Sequence, residues 1–140
     1  MNITCILPQF VDTFWSEAAE LLEPAVKISR GRYDLRAVRR LIQTGHNQLW
    51  VMYDDDEKII TTWTTAVENY PCKRMLSVTF LGGLKGEDSL KESDIIHDSI
   101  YQFAADNRCD GIEIIGRKGW ERVMSKYGYE ASYVTMEKEL

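Results

Sequence analysis

Cysteine is scarce in this chain, and the three residues present, Cys5, Cys72 and Cys109, are far apart and odd in number. They give neither a disulfide framework nor metal-ligand spacing, so a reducing compartment is the expectation. The two histidines, His46 and His97, have no second ligand type at metal spacing, and no metal site is expected. No apolar run is long enough to cross a bilayer, and the N-terminus lacks a signal-peptide pattern, so the expectation is a cytoplasmic protein with no membrane partner. Basic residues are outnumbered, 17 against 22 acidic for a net charge of −5, which argues against a general nucleic-acid binder.

What is present fits one α/β domain over residues 1–140, long enough to bury a core. The stretch that organises it is Cys109 to Glu130. Ile112, Ile114 and Ile115 form a short β-branched run ended by Gly116. Trp120, Val123, Met124 and Tyr127 then recur at helical spacing, and Gly128 sits where a helix end favours positive φ. Tyr129, Tyr133 and Val134 open another apolar segment, read as a last strand.

Upstream, Ile3 to Leu7 is a short strand stopped by Pro8. Asp12 is the expected cap of a helix carrying Phe14, Trp15, Ala18, Leu21 and Leu22, ending before Pro24. Asp34 caps a second helix with Leu35, Val38, Leu41 and Ile42 inward, and Gly45 stops it. Three strands follow as a meander. Gln48 to Tyr53 is followed by an acidic turn at Asp54 to Glu57, then by Ile59 to Val67, and Trp50 and Trp63 are placed to pair across that hairpin. Arg74 to Leu81 is the third strand, with Leu76, Val78 and Phe80 expected on one face. Gly82 to Asp88 is a glycine-dense loop, and Ser89 with Glu92 fits a capping box opening a long helix to about Arg108. The order is β-α-α-β-β-β-α-β-α-β with a mixed sheet, since the passage from Arg74 to Ile115 implies one parallel pair.

That order resembles the GNAT superfamily of N-acetyltransferases, most closely from Arg74 to Glu130. There the chain runs strand, glycine loop, long helix, strand, short helix and the Gly128-Tyr129 turn. The resemblance implies acetyl-CoA held in a splay between the two parallel strands. Val78, Phe80 and Leu81 would contact the pantetheine arm. Gly83, Lys85 and Gly86 would lie near the pyrophosphate, on loop amides and a helix start that favour an anion, and Arg117 would reach a CoA phosphate. The GRKGWERV segment and the LWVM strand after Gly45-His46 also resemble short GNAT-like proteins of bacteriophages, which implies a role in a virion or in host interaction beside an enzymatic one.

The chain departs from the family in places. Arg117 and Met124 stand where an Asn and a thiolate-protonating Tyr are common, and Glu87 and Asp88 set negative charge beside the expected pyrophosphate. Tyr127 is the remaining candidate acid, against the plainer reading of a core tyrosine. Glu68 is the candidate base through a water, against that of a solvated turn residue. Arg30, Arg32, Arg36, Arg39 and Arg40 suit an acidic acceptor, a phosphate or nucleic acid, against that of a solvated helix face. Two functions follow. One is an acyl-CoA-dependent N-acyltransferase with a degenerate motif, acting on an amine acceptor. The other is a non-catalytic GNAT-like module with protein partners such as virion components.

Overall fold

The structure, a computed structural model, describes residues 1–83 and 89–140. Lys85, Gly86, Glu87 and Asp88 lie outside the described residues, as does the side chain of Ser89 expected to cap the long helix. Strand β1 (Asn2–Ile6) leads through a 3-10 turn at Pro8–Phe10 into α1 (Val11–Lys27) and α2 (Leu35–Gln43). The meander β2 (Gln48–Tyr53), β3 (Ile59–Asn69) and β4 (Arg74–Gly82) follows, then α3 (Ser89–Asp106), β5 (Gly111–Ile114) and α4 (Gly119–Met124). Among the described residues the five strands form one sheet in the order β1-β2-β3-β4-β5. Only the β4–β5 pair is parallel. A parallel pair needs a crossover, and α3 provides it. This is the mixed α/β architecture expected.

Two apolar layers cover the sheet, one on each face. Trp15, Ala18 and Leu22 of α1 join Val38 and Ile42 of α2 over Leu49 and Val51. Ile96, Ile100 and Ala104 of α3 pack over Met52, Trp63 and Leu76. Successive residues of β2 alternate between the layers, as a pleated strand requires. Trp50 and Trp63 do pair across the hairpin, stacked with ring centroids 6.2 Å apart and planes 4° apart.

In β4 the alternation breaks. Thr64 pairs with Phe80 and Thr65 with Val78, so Thr79 is one residue too many on its strand. Such a bulge reverses which face each later residue meets. Leu76 and Val78 therefore pack toward α3, whereas Phe80 joins the α1–α2 layer and Leu81 turns back to α3. The single face expected for Leu76, Val78 and Phe80 is corrected accordingly.

The helix ends differ from expectation in two places. Helix α1 runs through Pro24 to Lys27. Proline removes one backbone donor, and burial of Val26 in the core rewards the extra turn. Asp12 caps nothing. It sits in the first turn of α1 and accepts from Arg39 Nη2 at 2.6 Å and Gln43 Nε2 at 2.9 Å, tying α1 to α2. That Arg39 bond also holds the Asp12 carboxyl below its ordinary pKa. Asp34 does cap α2, accepting from the Ala37 amide at 2.7 Å, and Gly45 follows with φ +82°. The last strand expected to open at Tyr129, Tyr133 and Val134 is absent among the described residues, since 129–140 carries no strand.

Candidate functional site

β4 is longer than the strand beside it. Its register with β5 ends at Val78 opposite Ile114, and one further bond joins the Ile115 amide to the Val78 carbonyl at 3.2 Å. Beyond that point β5 turns away through Gly116. A Cβ there would meet the Trp120 ring at 3.0 Å, so the bare backbone lets α4 close over the turn. β4 continues to Gly82, held only by β3 among the described residues. The segment Thr79 to Gly82 thus presents a strand edge to a groove of about 860 Å3. That is the size of a cavity for a drug-sized ligand, and a free strand edge offers amides and carbonyls to an extended one.

The groove passes from one face of the sheet to the other. On the α3 side it is lined by Ile96, His97 and Ile100 from α3 and by Trp120, Met124 and Tyr127 from α4 and the 3-10 turn after it. On the α1–α2 side it meets Leu21 and Pro24, the loop from Ile28 to Tyr33, and Glu68, Tyr70 and Glu113. Val78, Phe80, Leu81, Gly83, Arg117, Glu68 and Tyr127 all line it. The structure therefore brings these seven residues to one cavity together with Arg30 and Arg32, whereas Arg36, Arg39 and Arg40 lie apart from it beside Gln43.

It does not gather them at one point. Tyr127 packs on α3, while Glu68, next to the α3-facing Val67, turns to the opposite face. The Tyr127 hydroxyl donates a hydrogen bond to the Asp94 carboxylate, and its ring stacks on His97 at 4.3 Å. Burial, then the bond to Asp94, raises the phenol pKa, and the same bond lowers that of Asp94. His97 also bonds the Tyr129 hydroxyl through Nε2 at 3.0 Å. Burial depresses the histidine and pushes Tyr129 up to about 12.

The α1–α2 side holds groups that the sequence reading missed. Tyr70 donates to Glu113 Oε1 at 2.7 Å, and this bond pushes the phenol up to about 12. Glu113 pairs in register with Ser77, one residue before the last β4–β5 pair, so it sits at the closed end of the splay. A lone acid in the apolar run Ile112 to Ile115 was the signal for it. Gly83 has φ +103°, and a Cβ on it would lie 2.3 Å from the Ile60 carbonyl oxygen. Glycine is needed there for the turn itself, whatever docks beside it.

No family model matches the chain, and no curated protein matches it. Solved structures do. A mutant of the BH1408 protein of Bacillus halodurans is similar at TM-score 0.72 and 18% identity, over 100% of this chain and 99% of that one. A putative acetyl transferase of Pyrococcus furiosus is similar at TM-score 0.71 and 12% identity, over 99% of both chains. A predicted acetyltransferase with acetyl-CoA from Clostridium acetobutylicum is similar at TM-score 0.68 and 15% identity, over 99% of this chain and 95% of that one. At such identities the likeness establishes a GNAT-like fold and leaves chemistry to the site.

Proposed function

We propose that the chain is an acyl-CoA-dependent N-acyltransferase whose groove takes the acyl-CoA from the α3 side and an amine from the α1–α2 side. The observation that carries this is the free edge of β4 from Thr79 to Gly82 along a groove open to both faces. The residues present suit the ligand. The strand edge can pair with the two amides of a pantetheine arm, as an added strand would. Ile96, Ile100 and Trp120 give that arm apolar walls. Arg117 stands exposed at the rim for a phosphate oxygen.

The bound thioester would supply an activated acyl group, with the C–N bond to the amine forming as the C–S bond breaks. The bulge leaves Thr79 without a partner on β3, and a backbone amide freed there would be the kind of fixed donor that stabilises charge developing on a carbonyl oxygen. Glu113 at the closed end, held by Tyr70, accepts the proton the amine gives up, or Glu68 does so through water. Tyr127 is an acid for the thiolate only after it leaves Asp94, so solvent is the simpler donor in the arrangement observed. Holding both substrates in line supplies much of the rate without a strong acid.

Calorimetry with acetyl-CoA tests the reading. Micromolar binding is expected, and Arg117→Glu, an exposed change with little cost to folding, should weaken it about ten-fold, the worth of one charge-assisted contact. No binding of acetyl-CoA at millimolar concentration would overturn it.

A further inference from the structure

The chain carries a peptide of its own at the acceptor end of the groove. Thr135 and Glu137 line that end, while Val134 and Met136 between and beside them are 81% and 91% exposed. Alternate residues facing in and out are the signature of an extended segment. The inward carboxylate is gripped from two directions. Glu137 Oε1 takes Arg30 Nε, and Oε2 takes Arg32 Nη2 at 2.8 Å.

The loop that presents the two arginines is built for it. Arg30 and Gly31 both have positive φ, at 56° and 82°. The Ser29 hydroxyl accepts from the Tyr33 amide at 3.1 Å and donates to the Tyr33 carbonyl at 3.2 Å, closing the turn. Arg32 Nη1 donates to the Ser29 carbonyl at 3.2 Å, which aims its guanidinium. Tyr33 sets its ring edge-on to Phe80 at 5.5 Å, anchoring the loop on β4 just past the bulge. The arginines are still 68% and 49% exposed, so the tail contact is a surface ion pair and readily displaced.

We infer that the amine acceptor is an extended acidic peptide whose carboxylate binds Arg30 and Arg32, and that Glu137 of the tail holds that place until the acceptor displaces it. This rests on the acyltransferase reading and names its acceptor. The same end of the groove also carries Glu20, Glu68 and Glu113. Those acids repel a polyanion such as nucleic acid but attract the ammonium of a peptide whose other charge is one carboxylate.

The probes are amidated peptides with a free α-amine and a glutamate at the second, third or fourth position, each with a glutamine twin. A free-acid form of the glutamine twin separates a side-chain carboxylate from a terminal one. With acetyl-CoA present, one glutamate peptide should be acetylated with a KM at least five-fold below its twin. Arg30→Gln with Arg32→Gln should erase that advantage. Glu137→Gln should lower the KM of the glutamate peptide about two- to five-fold while kcat holds, since an exposed ion pair is weak and a blocked site scales apparent affinity by its open fraction. Equal KM values for the twins, or an unchanged KM in Glu137→Gln, overturn the inference, as does a single-stranded oligonucleotide bound more tightly than every peptide. Calorimetry of the same peptides without acetyl-CoA keeps the two readings apart. Selective binding of a glutamate peptide, strengthened in Glu137→Gln, supports this acceptor site even where acetyl-CoA fails to bind.

Discussion

At the scale of single residues, two glycines set the position of the groove wall. Gly82 ends β4 directly beneath α1. A Cβ on it would lie 1.8 Å from the Leu21 carbonyl oxygen and 2.6 Å from its carbon, both backbone atoms that cannot swing aside. Helix and strand therefore meet backbone to backbone, and any side chain larger than hydrogen must push α1 outward. Gly82→Ala should destabilise the fold by roughly 1–3 kcal/mol, the ordinary cost of forcing atoms into a filled site. Denaturant midpoints measure this, and a midpoint equal to the wild type would mean that α1 does not rest there. Gly83 is no better as a probe of ligand binding. Its positive φ and its approach to Ile60 make any substitution a folding defect first, which is why Arg117, exposed and at the rim, is the cleaner choice.

At the scale of elements, the turn after α4 is fastened to α3 by His97 and Asp94. The His97 ring stacks on Tyr127, and Tyr129 stands edge-on to it at 5.5 Å with its hydroxyl on Nε2. The groups facing it are these two phenols together with Asp94 and Asp98. Burial lowers its pKa more than the two carboxylates raise it, so the folded-state value lies below 6.5. The unfolded chain then binds a proton that the folded one refuses. The contribution is whole above pH 6.5 and is lost as pH falls from there toward the folded-state value. Urea midpoints at pH 7.5 and 5.5 should fall further in the wild type than in His97→Gln. Equal falls would remove the histidine from the account.

The parts that sequence made readable at this scale are those governed by neighbours along the chain. The Asp34 cap, the Gly45 stop and the Trp50–Trp63 pair rest on local chemistry and on the period of two in a hairpin. The end of α1 was misread because proline weighs against a helix locally, while Val26 is rewarded by a core the sequence does not display. The bulge at Thr79 leaves no local mark, since it is set by how β3 fits β4, and it alone moves Phe80 to the other face. The apolar segment opened by Tyr129, Tyr133 and Val134 reads as a strand, yet it forms none among the described residues, and the tail beyond it meets the groove through Thr135 and Glu137. Tyr70 and Glu113 lie 43 residues apart, and Arg30 meets Glu137 from the other end of the chain. Neither pair has a spacing to recognise, so Tyr70, Glu113 and Glu137 stayed hidden, while Arg30, Arg32 and Glu68 at the same end and the β4 side were expected.

At the scale of the whole molecule, β4 gives side chains to both cores, as β2 and β3 do, and is the one of the three whose end borders the splay. Leu76 and Val78 belong to the layer under α3, and Phe80 belongs to the layer under α1 and α2. The splay opens where ownership changes, so a ligand lying along Thr79 to Gly82 touches both layers at once. Its binding free energy should therefore appear as stability of the whole fold rather than as ordering of one loop. Acetyl-CoA at one hundred times its dissociation constant adds about 2.7 kcal/mol to the folded state. For a chain of this size that raises Tm by roughly 5–10 °C. Pantetheine, which lacks the phosphates, should give a smaller shift at equal concentration if Arg117 and the helix start at Ser89 meet an anion. Amide exchange should slow from Thr79 to Gly82 and also in Leu22 and Ile100, on opposite faces of the sheet. Protection confined to one face would mean that the ligand fills only one end of the groove, and no change in Tm would mean that the free edge of β4 serves some purpose other than holding an acyl-CoA.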